Sequence, residues 1–384
     1  MEYTMRWYGP NDGVTLKDIA QAGCTGVVTA LHQVPVGEIW TDEAIKERKQ
    51  MIEDEGLQWS VVESLPVHED IKRRNGRYQQ WIENYKISLQ NLSANGIHII
   101  TYNFMPVLDW LRTDLYYQTR TGSALRFEWL AFISFDLFIL QRPDAEKDYT
   151  AEDIDKAKNY YDNLSQQQKD HLASACMQGL PGSTKQFSRE DILQLLEEFK
   201  GIDEAKLQEH LFLFLNEIAP VAEAANMKMA IHPDDPPFPV LGLPRIMSKA
   251  EHIRKMFENV PSNIAGLCFC TGSYGARKEN DLQAMFKEFS PRIYFLHLRS
   301  TKRDNEGNFF EDDHLAGNAD LFSIVRLATE LELKENKILP MRPDHGHQLE
   351  IDAQVKSFPG YSYVGRLKGL SEIRGMETAL KRMI

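Results

Sequence analysis

Four residues of types that commonly bind metal ions each follow an apolar, β-rich run. Taken singly, each is more often a loop or packing residue. On four strands of one α/β barrel, however, they would meet at the rim where barrel active sites lie. Two imidazoles, a thiolate and a carboxylate could bind Zn²⁺, Fe²⁺, Co²⁺ or Mn²⁺. The four residues, after the runs KMAI, GLCF, YFL and ILPMRP, are His232, Cys270, His297 and Asp344.

The spacing of these residues favours a catalytic metal over a structural one. They lie far apart in the sequence, whereas structural zinc sites use closely spaced cysteine pairs. A dispersed set leaves open positions for a substrate. Cys270 would bind as the thiolate, because a bound cation lowers the pKa of a thiol. Cys268 lies two residues earlier, on the same side of the strand and one layer deeper, so we predict that it is a core residue.

Other strand-like runs lead into polar and aromatic residues that could contact a substrate. Guanidinium groups bind carboxylates in bidentate geometry, so Arg6, Arg112 and Arg299 are candidate clamps for an acidic substrate. A surface or helix-capping salt bridge is the alternative for each. The predicted substrate-binding residues are Arg6, Trp7, Tyr8, Glu63, Asn103, Arg112 and Arg299.

Eight β-rich runs alternate with helix-like segments along the chain. One such segment follows Thr41, with acidic residues in its first turn and Gly56 after its end, as capping favours. Strands that alternate with helices indicate a parallel sheet, and eight units predict a single (β/α)8 barrel domain over residues 1–384. An open doubly wound sheet is the alternative. The predicted strands are Thr4–Tyr8, Gly26–Leu31, Gln58–Ser64, His98–Phe104, Lys228–His232, Gly266–Cys270, Ile293–Leu298 and Ile338–Arg342.

The chain is longer than the ~250 residues typical of such a barrel, and the excess lies at about 105–203. We predict a mostly helical insertion there, after the fourth strand, with one helix over Leu125–Leu140. Charged residues interrupt that apolar stretch, so it predicts a buried or amphipathic helix and not a membrane span. The insertion could cover the barrel mouth or join subunits. Its apolar surface favours a homodimer or larger homo-oligomer.

Composition limits the classes of partner and compartment. The 384 residues carry a formal net charge of -12, which disfavours generic binding to nucleic acids or anionic membranes. The sequence has no run of ~20 apolar residues and no signal-peptide pattern at its start. Four cysteines in so long a chain are not a disulfide framework, so we expect reduced thiols in a cytoplasmic protein. The absence of GxGxxG, GxxxxGK[ST] and GxSxG motifs disfavours nucleotide-driven chemistry and serine hydrolysis.

Long segments spread over nearly the whole chain resemble, in order, the mannonate dehydratases of hexuronate degradation. They are RWYGPND, GVVTALHQVPVGEIW, WSVVESLPVHEDIK, ITYNFMPVLDWLRTDL, AIHPDDPP, LCFCTGS, FLHLRS, MRPDHGH and FPGYSYVGR. The resemblance implies a xylose-isomerase-like barrel that dehydrates D-mannonate to 2-dehydro-3-deoxy-D-gluconate with Mn²⁺ or Fe²⁺. Carried over residue by residue, it implies the metal ligands His232, Cys270, His297 and Asp344 and the acid–base residues His345 and Tyr361.

Dehydration of an aldonate requires removal of a weakly acidic proton at C2 and departure of the 3-hydroxyl. A cation would stabilise the developing negative charge, a base would take the C2 proton, and an acid would protonate the hydroxyl. The resemblance does not assign the two roles, and we predict His345 as base and Tyr361 as acid. Both Asp344 and His345 can face inward only if the strand has ended before them, which Pro343 and Gly346 favour.

Two other functions remain compatible with these residues. A sugar isomerase or epimerase on the same barrel would favour carboxylate-rich sites, often with two metals, so a cysteine ligand argues against it. A non-catalytic sugar-binding protein would need neither a metal nor a proton-transfer group beside it.

Overall fold

The strands of the chain form two sheets in a computed structural model that describes residues 1–179 and 187–384. Within these residues the strands are β1 (Glu2–Arg6), β2 (Gly26–Thr29), β3 (Gln58–Glu63), β4 (Ile99–Tyr102), β5 (Asp114–Thr119), β6 (Gly122–Phe127), β7 (Lys228–Ile231), β8 (Ala265–Cys270), β9 (Ile293–His297), β10 (Thr301–Arg303), β11 (Phe309–Glu311) and β12 (Pro340–Arg342). Eight of them close a parallel barrel in the order β1-β2-β3-β4-β7-β8-β9-β12. The predicted (β/α)8 barrel is confirmed, and each predicted strand overlaps a barrel strand.

Helices surround the barrel, and many of them begin at a residue whose side chain caps the helix. Thr41 accepts a hydrogen bond from the Ala44 amide, so the helix expected after Thr41 is confirmed. In the described part of the chain the α-helices are α1 (Leu16–Gln21), α2 (Asp42–Glu53), α3 (Glu69–Arg73), α4 (Tyr78–Ala94), α5 (Trp129–Ser134), α6 (Ala151–Asp162), α7 (Gln166–Cys176), α8 (Arg189–Glu198), α9 (Glu204–Ala224), α10 (Ala250–Asn259), α11 (Thr271–Gly275), α12 (Leu282–Phe289), α13 (Leu321–Glu335) and α14 (Tyr363–Met383). Short 3-10 turns lie at Ala145–Asp148, Ser290–Arg292 and Glu350–Asp352, and a π-helical turn at Phe135–Leu140.

The segment between β4 and β7 contains a hairpin as well as helices. The hairpin β5–β6 pairs with the hairpin β10–β11, which follows β9, in a second sheet of order β10-β11-β6-β5. The prediction of one helix over Leu125–Leu140 is therefore wrong at its start, because β6 ends at Phe127 and α5 begins at Trp129. A short apolar run does not distinguish strand from helix, and the partner β11 is distant in sequence. Residues 180–186 of the predicted insertion lie outside the described residues.

The apolar stretch Leu125–Leu140 packs against other parts of the same chain. Phe127, Phe132 and Phe135 are fully buried, and all three belong to the main hydrophobic core. The exposed apolar surface from which we expected an oligomer is therefore largely absent, and the oligomeric state stays a prediction. Among the described residues we find no helix with the length and apolar content needed to span a membrane.

The end of β12 determines where two of the predicted site residues point. The strand stops at Arg342, and Asp344 adopts a left-handed conformation with φ of 59°. This breaks the alternation of a strand, so Asp344 and His345 are both buried, as the predicted strand end requires. Gly346 then passes so close to α14 that a Cβ atom there would lie 2.3 Å from the carbonyl carbon of Gly365.

We predict that Gly346→Ala lowers the free energy of unfolding by about 1–3 kcal/mol, because the added methyl overlaps the backbone of α14. Gly375→Ala is the matched control, since no atom lies within 4 Å of its Cβ position and alanine favours a helix by about 0.5–1 kcal/mol over glycine. Thermal and denaturant unfolding measure both. Equal stability of Gly346→Ala and wild type would contradict the close approach.

Candidate active site at the carboxyl ends of the barrel strands

Three of the predicted metal ligands converge at the ends of β8, β9 and β12. Cys270 pairs in register with His297, so their side chains lie at the same level of the barrel. The Cys270 Sγ atom lies 3.9 Å from Oδ2 of Asp344, and Nδ1 of His297 lies 3.9 Å from the same oxygen. All three side chains are buried. Their donor atoms lie within 4.8 Å of one another, which is close enough for a single ion to bind them together.

His232 lies one level deeper in the barrel than Cys270 and His297. Ile231 pairs with Leu267, so the next residue, His232, stands level with Cys268. His232, Cys268 and His297 form a second group whose donor atoms lie within 4.8 Å of one another. The four predicted ligands are therefore divided between two groups that share His297. Cys268 is buried in a small apolar cluster, which confirms the prediction of a core residue, but it also borders the site.

The hydrogen bonds of the two histidines leave nitrogen atoms available to a metal. His232 Nδ1 donates to the carbonyl of Pro233 at 2.7 Å, which leaves Nε2 as the free donor atom. Burial lowers the pKa of His232, so its imidazole stays neutral. His297 Nδ1 is buried without a hydrogen-bond partner, and it is the atom that lies near Asp344. The residues present therefore fit a divalent metal ion.

Arginine side chains hold Asp344 in its ionised form. Arg342 pairs with one carboxylate oxygen of Asp344, and Arg299 Nη1 lies 3.2 Å from the other. Burial alone would raise the pKa of Asp344, but these charges, together with His345 and His297, hold it well below its usual range. Arg342 also contacts Glu63 at 2.7 and 2.9 Å.

The predicted acid–base residues are in direct contact. His345 Nε2 lies 3.1 Å from the hydroxyl of Tyr361, and both residues are buried. The backbone of Gly346 donates to the carbonyl of Gly360 at 2.9 Å, which holds the two segments together. Burial raises the pKa of Tyr361, so its hydroxyl keeps a proton at neutral pH. A protonated phenol beside an imidazole can pass a proton in either direction.

The three arginines predicted as substrate clamps differ in what they bind. Arg112 is fully buried and meets Asp235 in bidentate geometry at 2.7 and 3.0 Å, so its fork faces a protein carboxylate. Arg299 contacts Asp235 at 2.8 Å as well as Asp344. Arg6 contacts His32 at 3.1 Å, but its Nε and Nη1 atoms have no hydrogen-bond partner. Arg6 therefore keeps the most donors for a substrate, since Arg112 and Arg299 each leave only Nε without a hydrogen-bond partner.

The remaining predicted substrate-binding residues also lie at this end of the barrel. Glu63 ends β3 and contacts His297 Nε2 at 3.4 Å, and Asn103 is buried just beyond β4. Trp7 packs in the hydrophobic core, which leaves it little surface for a ligand. Tyr8 lies edge-on against Tyr361, with 5.1 Å between ring centroids.

A cavity of about 420 Å³ opens beside Tyr8. It is also lined by His32, Arg48 and Phe358. Tyr8 connects this cavity with the acid–base pair, because its ring touches that of Tyr361.

Sequence reasoning missed three buried charged residues of the site. Asp235 and Arg342 lie two or three residues from the predicted ligands His232 and Asp344. This proximity in the sequence could have identified them as site residues. Glu311 ends the short strand β11, and no local pattern distinguishes it from other acidic residues of that loop.

Barrel enzymes carry their chemistry at this rim, and a cluster of titratable groups with strongly shifted pKa values is typical of a catalytic site. The fold and the site therefore define a TIM-barrel enzyme.

Comparison with known proteins identifies the family. The family model for D-mannonate dehydratase (UxuA) matches residues 1–384. A mannonate dehydratase of Marinomonas sp. (strain MWYL1) is 53% identical over 388 residues, covering 99% of each chain. The crystal structure of mannonate dehydratase from Streptococcus suis serotype 2 superposes with a TM-score of 0.79 at 33% identity, covering 100% of this chain and 94% of that one. A xylose isomerase-like TIM barrel protein from Mycobacterium smegmatis shares the fold, with a TM-score of 0.51 at 12% identity over 96% of this chain and 87% of that one. The chain belongs to the D-mannonate dehydratase family of hydro-lyases.

The two cysteines of β8 provide a test of which thiol binds the metal. We predict that Cys270→Ser lowers Mn²⁺ affinity by more than the ~10–100-fold typical of changes to groups that only support a ligand. Cys268→Ser should keep the metal and lose about 1–3 kcal/mol of stability, because its buried hydroxyl enters an apolar cluster. Metal titration and thermal unfolding of both variants measure this. Loss of Mn²⁺ from Cys268→Ser alone would make Cys268 the ligand.

Proposed function

We propose that this chain removes water from D-mannonate to form 2-dehydro-3-deoxy-D-gluconate, and that the reaction requires a divalent metal ion. Membership of the family supports the substrate. The observation that carries the chemistry is the 3.1 Å contact between His345 and Tyr361 beside the cluster of Cys270, His297 and Asp344. Dehydration needs both a base and an acid next to a group that stabilises negative charge, and this arrangement supplies all three.

The ligand groups at the rim support the binding of a metal ion. We propose that Cys270, His297 and Asp344 hold the ion, with His232 completing the set, and that the ion is Mn²⁺ or Fe²⁺, as the family resemblance implies. Such an ion, when bound, would polarise the substrate carboxylate and stabilise the charge that develops as the C2 proton leaves. An ion of charge +2, a Cys270 thiolate and a substrate carboxylate together add no net charge to the buried site.

His345 and Tyr361 divide the proton transfers. His345 Nε2 takes the C2 proton, the C–H electron pair forms the C2=C3 bond, and the C3–O bond breaks. The Tyr361 hydroxyl gives its proton to the departing hydroxide, which leaves as water. Because the two groups are in hydrogen-bond contact, the proton on His345 can return to Tyr361 and reset both. The enol product then tautomerises to the 2-keto acid.

Substrate contacts are supported by the donors that the protein leaves free. Two nitrogen atoms of Arg6 have no hydrogen-bond partner, although Nη1 lies 3.8 Å from Glu63, and the guanidinium lies over the ring of Tyr8. We propose that Arg6, with Tyr8 and Glu63, orients the polyol, while Asn103, Arg299 and Trp7 shape the site. Arg112 supports the site through its ion pairs with Asp235 and Glu311. A guanidinium can bind a carboxylate or two hydroxyls at once, which suits an aldonate.

The cellular setting follows from the proposed reaction. We propose that the enzyme serves hexuronate catabolism in the cytoplasm, where glutathione and thioredoxin keep thiols reduced. All four cysteines are free and buried, which is compatible with that location. A dimer or larger oligomer remains part of this proposal.

We predict that the chain converts D-mannonate to a product that reacts with a keto-acid reagent, and that chelation of divalent ions abolishes turnover. Added Mn²⁺ or Fe²⁺ should restore turnover, because the ion binds again to the thiolate and carboxylate ligands. A D-mannose isomerisation assay is the control for the isomerase alternative. A metal-free protein that binds D-mannonate without turnover would favour a binding protein instead.

We predict that His345→Asn keeps its metal but loses exchange of the C2 proton, because the base is gone while the ligands remain. Tyr361→Phe should likewise keep its metal and lose kcat, since one hydroxyl is removed. The measurement is deuterium at C2 of recovered mannonate after incubation in D₂O. Wild-type exchange by His345→Asn would exclude His345 as the base.

A further inference from the structure

One buried carboxylate faces the acid–base pair from outside the barrel strands. Glu311 Oε1 lies 3.3 Å from Nδ1 of His345, on the side of the imidazole opposite Tyr361. Glu311 is only 2% exposed. Burial by itself would raise the pKa of Glu311, but the charges of Arg299, His345 and Arg112 lower it to about 2, so it is ionised. The three side chains form a line from carboxylate to imidazole to phenol.

The second sheet delivers Glu311 to this position. Glu311 ends β11, which pairs with β6 of the hairpin inserted after the fourth barrel strand. His347 Nε2 donates to the backbone carbonyl of Glu311 at 2.8 Å, and Thr121 of the inserted hairpin contacts Nδ1 of His347 at 3.0 Å. The backbone of Glu311 is thus tied both to the inserted hairpin and to the segment that carries His345.

We propose that Glu311 is a positioning residue for catalysis: it accepts a hydrogen bond from Nδ1–H of His345 and so keeps the Nε2 lone pair directed at Tyr361 and the substrate. The proposal rests on the proposed dehydratase function for its kinetic part only. A neutral imidazole carries one proton, and the group that binds one nitrogen decides which nitrogen is free. An ionised carboxylate accepts only, so it selects the tautomer with the proton on Nδ1.

This role also follows from what happens after proton abstraction. When Nε2 takes the C2 proton, the imidazole becomes a buried cation, which is costly without a paired charge. Glu311 is the anion that meets the far nitrogen of this cation, and the proton then returns through Nε2 to Tyr361. Carboxylates that orient a catalytic histidine act in this way in other enzymes, without being protonated themselves.

Arg299 competes for the same nitrogen. Its Nη1 is in hydrogen-bond contact with Nδ1 of His345 at 3.3 Å, whereas Glu311 faces that nitrogen as an ion-pair partner. Donation by Arg299 would put the proton on Nε2 instead. Arg299 Nη1 also faces Asp344 at 3.2 Å, an ionised acceptor that takes its proton in preference to a neutral ring nitrogen. The two arrangements predict opposite tautomers of His345, so they can be told apart by experiment.

The test compares Glu311→Gln with Asp235→Asn. Both changes remove one buried negative charge that contacts Arg112 and Arg299, but only Glu311 meets His345. We expect Glu311→Gln to lower kcat for D-mannonate by about 10–100-fold with little change in KM, as loss of a supporting carboxylate does. Asp235→Asn should lose comparable thermal stability but much less of kcat. Equal kcat losses in the two variants would reduce Glu311 to a structural ion-pair partner.

A second measurement does not depend on turnover. Long-range ¹⁵N–¹H spectra of the full chain loaded with diamagnetic Zn²⁺ report the tautomer of each histidine, and the His345→Asn variant identifies the signals of His345. We expect the Nδ1–H form in the wild type and in Asp235→Asn, and a shift toward the Nε2–H form in Glu311→Gln. A wild-type Nε2–H form, or no change in Glu311→Gln, would overturn the proposal. If the tautomers are as expected but the wild-type protein does not dehydrate D-mannonate, the proposed function is refuted and the role of Glu311 in orienting His345 is not.

Discussion

The ion pairing of buried charges at the barrel rim is the constraint on which the rest of the site depends. Three guanidinium groups and three carboxylates are withdrawn from water there, namely those of Arg112, Arg299, Arg342, Asp235, Glu311 and Asp344. Isolated charges in such an environment cost many kcal/mol, so each must meet an opposite charge in good geometry. The observed pairs satisfy this, and they hold the predicted metal and proton-transfer residues in fixed positions.

This network also couples the barrel to the second sheet. Arg112, from the segment that follows β4, binds Asp235 at the end of the fifth barrel strand and Glu311 on β11. The inserted hairpin pairs with β11, so the segment between the fourth and fifth strands supplies a wall of the site. Its hairpin completes the sheet whose other hairpin carries Glu311, and α7 packs against β5.

Two layers of the barrel interior explain why the ligand-type residues divide into two groups. The side chains of Cys268 and His232 lie level with each other, whereas Cys270 and His297 stand at the next level up. His297 reaches both, because its ring lies 5.0 Å from that of His232 while its Nδ1 faces Asp344. The lower group borders the apolar barrel floor, and the upper group, which includes the carboxylate of Asp344, belongs to the polar rim.

Local patterns were enough to predict the eight barrel strands, the residues at their ends and the end of β12 before Pro343, because strand propensity, alternation and proline act within a few residues. The sequence also carried the family through long motifs such as MRPDHGH and FPGYSYVGR. Three features became visible only in the folded chain. Leu125–Phe127 belongs to a strand, the guanidinium of Arg112 forms an ion pair with Asp235, and Glu311 meets His345. Each of these depends on a partner far away in the chain, and a local pattern contains no information about which distant backbone or charge will satisfy it.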